Sequence, residues 1–169
     1  MGDRSGAPAG RPTSLPPVGR GMATVSDTYL ENRWRVQPNH ANNYQTVHGG
    51  NVMKWMDELG AMSAMRATGE PCVTASIDEM NFHRPVPVGD TVYIESFAYE
   101  TGRTSVRVQL KAAREDPHSG DREVTTRSRF VFVAIDESGS PIPVPELTVE
   151  DDRCRELRER ALEWERDEA

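Results

Sequence analysis

The run "NNYQTVHGGNVMKWMDELGAMSAMRATGE" at residues 42–70 limits the possible folds more than any other. Helical spacing over residues 50–68 spreads Val52, Met53, Trp55, Met56, Leu59, Ala61, Met62, Ala64 and Met65 around most of the circumference. A helix that is apolar on nearly every side must be enclosed by protein. Gly69 then supplies its C-terminal cap. Into this helix the sequence sets two adjacent carboxylates, Asp57 and Glu58.

The rest of the chain supplies the wrapper. Strand-like runs are "TYLENRWRV" from residue 28, "CVTASIDEMNF" from 72, "TVYIESFAYE" from 91, "SVRVQLKA" from 105 and "EVTTRSRFVFVAI" from 123. The second alternates as far as Ile77 and then slips phase to Met80 and Phe82, which predicts a bulge near Glu79. In the fourth, Val106, Val108 and Leu110 share one face and Arg107, Gln109 and Lys111 the other. The fifth becomes apolar on both faces towards its end, as a central strand would. The turn-like links "TGRT", "DPHSGD" and "DESGSP" predict antiparallel neighbours. The expected class is α+β, a curved antiparallel sheet of about five strands wrapped around one long central helix. A C-terminal helix is predicted over residues 148–168, with Thr148 as cap, acidic residues in its first turn, and Cys154, Leu157, Ala161 and Trp164 as its apolar stripe. One helix and one sheet leave a strand edge and part of the helix bare, so a dimer is expected.

Composition sets the remaining bounds. With 169 residues and 36% apolar content, the chain can close one modest core. The expected division is a disordered extension at 1–22, rich in glycine and proline, a globular domain at 23–147 and a charged helix at 148–169. A net charge of -7 disfavours general phosphate binding, so nucleic acid is not an expected partner. Cys72 and Cys154 have no metal-ligand spacing, and a reducing cytoplasm is the expected compartment. No apolar run nears the roughly 20 residues that span a bilayer, and the N-terminus lacks the apolar centre of a signal peptide. No membrane partner is expected.

Adjacent helical residues point about 100° apart, so Asp57 and Glu58 cannot share a role. Glu58 follows Lys54 by one turn, a surface pair. Asp57 has Met53, Ala61 and Ala64 as helical neighbours. Such a carboxylate loses hydration and becomes a better base unless partners hold it ionised, and the structural alternative is an Asp tied to a loop. Ahead of it, "HGG" at His48, Gly49 and Gly50 exposes backbone N–H groups at the positive end of the helix dipole, where an oxyanion would be stabilised. A glycine pair can also serve only as a turn. Asp57 lies eight residues past Gly49, about 12 Å along the axis. If the two act together, they come from different chains across an antiparallel helix pair. The sequence contains no G-x-S-x-G elbow, H-E-x-x-H helix, Walker loop or G-x-G-x-x-G fingerprint. His40, His48, His83 and His118 are scattered, so no metal site is expected, and Cys72 reads as a packed thiol.

The segments "NNYQTVHGGNVMKWMDE", "VTASIDEMNFHRPVPVGD", "GRTSV" and "FVFVAIDESGSPIPVP", taken in order, resemble the hot-dog-fold acyl-CoA thioesterases, specifically the cytosolic acyl-CoA thioester hydrolase branch. The likeness runs from about residue 36 to 145. It implies a hot-dog fold, hydrolysis of acyl-CoA to free acid and CoA, homodimers assembled into hexamers as trimers of dimers, and sites built across two subunits. By matched position, Asp57 takes the family's helix carboxylate. Asn42 takes the loop Asn that orients water or thioester, and Gly49, with Gly50 beside it after His48, takes the backbone oxyanion donor. Gln45 and Thr46 depart from the glycine often found before "HGG", and Asn43 doubles Asn42, so either Asn can face the site. For CoA, Gly102, Arg103, Thr104 and Ser105 match a segment beside the nucleotide or pantetheine arm, and a guanidinium such as Arg103 suits phosphate. Arg84 is a second phosphate candidate, and Thr74 lies on the strand expected to line the tunnel. CoA thiolate is a good leaving group, so no metal or organic cofactor is required. Two alternatives stand beside this reading. One is a hydratase or dehydratase on the same fold, which usually adds a His a few residues past the Asp, and the helix here has none. The other is a non-catalytic acyl-CoA-binding module.

Overall fold

Helix α1 spans Gly49–Thr68, one residue longer at its start than the periodicity alone sets it. Gly69 closes it in the left-handed region, φ 71, and its N–H donates to the Met65 carbonyl at 2.8 Å. The computed structural model describes residues 22–168; apart from Met22, the expected disorder of residues 1–22 lies outside them. Five strands follow the chain as β1 (Leu30–Arg35), β2 (Cys72–Ile77), β3 (Thr91–Thr101), β4 (Ser105–Glu115) and β5 (Arg122–Ala134). They form one antiparallel sheet in the order β1-β3-β4-β5-β2. Among the described residues, no helix is long and apolar enough to cross a membrane.

The inner face of the sheet receives α1. Val92, Ile94, Val108, Leu110, Phe130 and Phe132 pack against Val52, Trp55, Met56 and Leu59 in the main core. The approach is closest at Gly60, where an added Cβ would lie 2.9 Å from Phe132 Cζ and 3.2 Å from Leu110 Cδ1. One turn on, the Ser63 and Ser96 hydroxyls share a buried hydrogen bond of 2.8 Å that ties the helix to β3.

A second helix, α2 (Asp152–Glu168), crosses the outer face. Cys154, Leu157 and Ala161 of its apolar stripe pack on Val25, Phe97 and Tyr99. β3 is therefore the strand buried on both faces, while β5 lies inside the sheet between β4 and β2. Ion pairs fix the helix laterally. Glu165 accepts hydrogen bonds from the Tyr99 hydroxyl and from Arg129, and Arg160 reaches Glu95 at 2.8 Å.

Two local expectations are corrected. The bulge in β2 falls between Thr74 and Ser76 rather than near Glu79, because the strand ends at Ile77 and the later phase slip belongs to an irregular connection. Helix α2 begins at Asp152, and its cap is Asp151, whose Oδ1 accepts the Cys154 N–H at 2.7 Å. Thr148 instead pairs its backbone with Ala23 and Val25.

The sheet encloses α1 on one side only. Met53, Met62 and Met65 remain 37%, 41% and 39% exposed, and Val73 and Ile77 of the edge strand β2 are exposed as well. That open side is the surface on which the expected dimer would form.

Two consequences are measurable. A glycine in a helix interior normally destabilises by up to about 1 kcal/mol relative to alanine, yet Gly60→Ala would drive a methyl into a fully buried ring. A net loss of about 1–3 kcal/mol is expected, read as a lower urea midpoint; an equal or higher midpoint contradicts the packing described. For Glu165, burial raises the carboxyl pKa, but hydrogen bonds from Tyr99 and Arg129 outweigh it and hold the group below its ordinary range. A depressed folded pKa stabilises the fold above the unfolded value, about 4.3, and that contribution is lost as pH falls through the folded pKa. Glu165→Gln should therefore flatten the loss of stability between about pH 6 and pH 3, and identical acid limbs in the two proteins would contradict the assignment.

Candidate active site

The chain enters α1 through a turn built by Asn42. Its Oδ1 accepts the Tyr44 and Thr46 N–H groups at 2.9 and 3.2 Å, and its Nδ2 donates to the Thr46 hydroxyl at 3.0 Å. Gln45 takes a left-handed φ of 59, while Asn43 and Tyr44 are exposed. The Asn42 side chain thus spends its hydrogen bonds on its own loop. His40 is structural as well, its Nδ1 accepting the Gln37 N–H at 3.0 Å and its ring standing edge-on to Trp55.

His48 is the N-cap of α1, with φ -60 and ψ 132, and its exposed imidazole caps nothing. Its N–H donates to the His40 carbonyl, and its own carbonyl accepts the first helical bonds, from Asn51 and Val52. Gly49 and Gly50 come before any partner in the helix ladder. Their N–H groups donate to no acceptor among the described residues.

Gly49, with Gly50 next to it in the chain, borders a cleft of about 410 Å³. Val47, Gly49, Val52, Phe82, Arg84, Val86 and Thr125 contribute to its lining. The Phe82 ring lies 3.5 Å from the position a Gly49 Cβ would occupy. Arg84 stands at the rim, loosely paired with Glu123 at 3.9 Å. Thr125 enters the lining through a bulge, since the register moves from Ala112↔Thr126 to Ala113↔Val124 and leaves it as the extra residue of β5.

Asp57 does not line this cleft. It is half-buried at the seam between α1 and β2, where the Thr74 hydroxyl donates to its Oδ1 at 2.5 Å. Its Oδ2 has no hydrogen-bond partner among the described residues. Met53, one turn earlier on the same side, is exposed. Glu58 turns outward to Lys54 at 4.0 Å, with both side chains largely in solvent, where such a pair contributes at most about 0.5 kcal/mol.

The remaining candidates lie elsewhere. Gly102, Arg103, Thr104 and Ser105 form the β3–β4 hairpin, closed by the Gly102 N–H on the Ser105 carbonyl at 2.9 Å. This hairpin adjoins Ala134 and, through it, the C-terminal end of α1. The cleft adjoins the opposite end of the sheet, where Val47 pairs with Val86 and Val36 with Asp90. Arg103 is exposed. Along one chain the structure therefore separates three groups: Gly49, Gly50 and Arg84 at one end, Asp57 with Thr74 between, and the hairpin at the other.

Phe82 and Thr125 were not singled out as site residues from sequence. The signal for Phe82 was the loss of alternation after Ile77. For Thr125 it was the doublet Thr125-Thr126 in an otherwise alternating strand, one residue too many for a regular ladder.

Comparison with known proteins agrees with this architecture. The profile of the Thioesterase superfamily matches residues 44–120. An uncharacterised acyl-CoA thioester hydrolase of Bacillus subtilis is 37% identical over 116 residues, covering 69% of this chain and 67% of that protein. Among solved structures, an apo-hexameric acyl-CoA thioesterase is 34% identical, with a TM-score of 0.75 over 85% of this chain and 92% of its own. The acyl-CoA hydrolase of Staphylococcus aureus, solved with butyryl coenzyme A, coenzyme A and coenzyme A disulfide, is 29% identical, with a TM-score of 0.76 over 88% of this chain and 91% of its own. That hydrolase has also been solved with an Asp, an Asn or a Thr replaced by alanine. The fold is the hot-dog fold, a helix wrapped by one antiparallel sheet. The chain belongs to the acyl-CoA thioester hydrolases of the thioesterase superfamily.

Proposed function

We propose that the protein hydrolyses acyl-CoA to a carboxylic acid and CoA, in active sites that join Asp57 of one subunit to the Gly49 and Gly50 amides of its partner. One observation carries this reading. Among the described residues Asp57 has one carboxylate oxygen without a partner, at the seam of α1 and β2, about 12 Å along the axis from the Gly49 amide of its own chain, which has no acceptor there either. A two-fold axis through the open methionine face sets the two helices antiparallel. Each Asp57 is then brought towards the other chain's helix start. The S. aureus variants support the grouping, since their Asn precedes the Asp by fifteen residues and their Thr follows it by seventeen. Asn42, Asp57 and Thr74 have the same spacing.

The thioester carbonyl oxygen faces the Gly49 and Gly50 N–H groups, which take up the charge it gains as the carbonyl carbon becomes tetrahedral. Thr74 holds Asp57 Oδ1, leaving Oδ2 for the chemistry. That oxygen takes a proton from water as the water oxygen adds to the carbonyl, or adds directly to give an anhydride that water then opens. In both routes the C–S bond breaks with its electron pair on sulfur, and CoA leaves as thiolate. Asn42 shapes the entry loop beside the amides. The hairpin bearing Gly102, Arg103, Thr104 and Ser105 belongs to the end of α1 that an antiparallel partner brings near its own Gly49. The CoA arm would thus be held by the subunit that supplies Asp57, with Arg84 of the other subunit at the cleft rim. The hexameric relative supports assembly of such dimers into a trimer of dimers. The two free cysteines, Cys72 and Cys154, suit a reducing cytoplasm.

Three variants test the assignment by thiol release from acyl-CoA. Asp57→Asn should lower kcat by about 10²–10⁴-fold with KM nearly unchanged; near wild-type turnover would sink the catalytic role. Gly49→Pro removes the N–H at the first helical position, where proline is accepted, and the extended ψ of His48 already suits a following proline. It should keep the fold and cost about 10²–10³-fold in kcat, whereas an unchanged kcat would free the amide of any role. Thr74→Val should lower kcat while leaving KM nearly fixed, because it loosens Asp57. A rise in KM alone would instead make Thr74 a CoA contact.

A further inference from the structure

The cleft at the helix start has a floor and a rim of different character. Val47, Val52, Val86 and Thr125 are buried and form the floor, while Phe82 and Arg84 at the rim are exposed. Thr125 is only 2% exposed, and its hydroxyl has no hydrogen-bond partner among the described residues. Leaving a buried hydroxyl unsatisfied costs about 1–3 kcal/mol. A fourth valine would have closed this floor without that cost. The bulge in β5 is what turns Thr125 into the lining, and bulges of this kind commonly re-aim a side chain beside a site. Its backbone is already committed, the carbonyl accepting the His83 N–H at 2.8 Å.

We propose that Thr125 is a specificity-determining residue, whose hydroxyl hydrogen-bonds an oxygen carried on the acyl chain and favours hydroxyacyl- or oxoacyl-CoA over the plain alkyl ester of equal length. The inference rests on acyl-CoA hydrolysis at this cleft. With the carbonyl oxygen on the Gly49 amide, the acyl carbons next to it enter the same cleft and pass over the valine and threonine floor. An alkyl chain leaves the hydroxyl unpaired there. A chain with a hydroxyl or oxo group near the carbonyl satisfies it, and Thr Oγ1 can donate to either and accept from the former. Sites built to bond a substrate hydroxyl discriminate strongly against the analogue without it.

The test compares kcat/KM for 3-hydroxybutyryl-CoA, acetoacetyl-CoA and butyryl-CoA. Wild type should prefer at least one oxygenated ester by about tenfold or more. Thr125→Val, nearly the same shape without the hydroxyl, should abolish that preference, read as the ratio of kcat/KM between each oxygenated ester and butyryl-CoA. Thr125→Ser should keep it. Thr126→Val is the control, since Thr126 is also a buried threonine with an unpartnered hydroxyl but does not line the cleft, and it should leave the ratio unchanged. Equal rates on all three esters in wild type, or a ratio unmoved by Thr125→Val, overturn the role of Thr125 while acyl-CoA hydrolysis stands. No thiol release from any ester by wild type overturns the hydrolase reading and this inference with it.

Discussion

The structure depends on a mismatch between a helix that is apolar nearly all round and a single sheet that can cover only one side of it. Where the sheet does cover α1, contact is as close as the backbone allows. Gly60 lies against Phe132 and Leu110 with no room for a methyl group, and Ser63 bonds Ser96 within the core. Away from the sheet the methionines at 53, 62 and 65 stay open, as do Val73 and Ile77 of the edge strand β2. Burying apolar surface contributes roughly 25 cal/mol per Å², so a second copy of this face is the natural cover, and its flexible methionines can adapt to one.

That open side explains why carboxylates occur in such a helix. Asp57 is not in the core that α1 forms with the sheet. It lies at the seam with β2, where Thr74 bonds one oxygen and leaves the other unpartnered among the described residues. Meanwhile Gly49, whose amide like that of Gly50 has no partner among the described residues, lines a cleft that Asp57 does not. A base and an oxyanion donor on one rigid helix cannot converge on one carbonyl, but two antiparallel copies of that helix can bring them together. A partner on that open surface would then complete the chemistry.

Much of the fold was legible because periodicity reports burial directly. The extent of α1, the Gly69 cap, the five strands and the Lys54–Glu58 surface pair all follow from spacing. What was not legible depended on register and on tertiary contacts. The β2 bulge was misplaced because the sequence shows a phase slip without showing where the strand has already ended. The start of α2 was misplaced because Thr148 and Asp151 are both acceptable caps, and only the pairing of Thr148 with Ala23 and Val25 decides between them. At the candidate site, residue types and helix positions were readable, including the distance that separates Asp57 from Gly49. The bond from Thr74 to Asp57, the Phe82 ring over Gly49 and the entry of Thr125 into the cleft are set by how strands are aligned, which no local pattern encodes.

The most direct measurement of the shared site is subunit complementation. Asp57→Asn and Gly49→Pro chains, each inactive alone, are refolded together and assayed for thiol release. A site drawn from two chains predicts recovered activity, because a mixed dimer holds one site with an intact Asp57 from the proline chain and an intact Gly49 amide from the asparagine chain. If mixed oligomers form, as a mass measurement would show, and activity stays at the level of the separate variants, each site lies within one chain and the account is wrong.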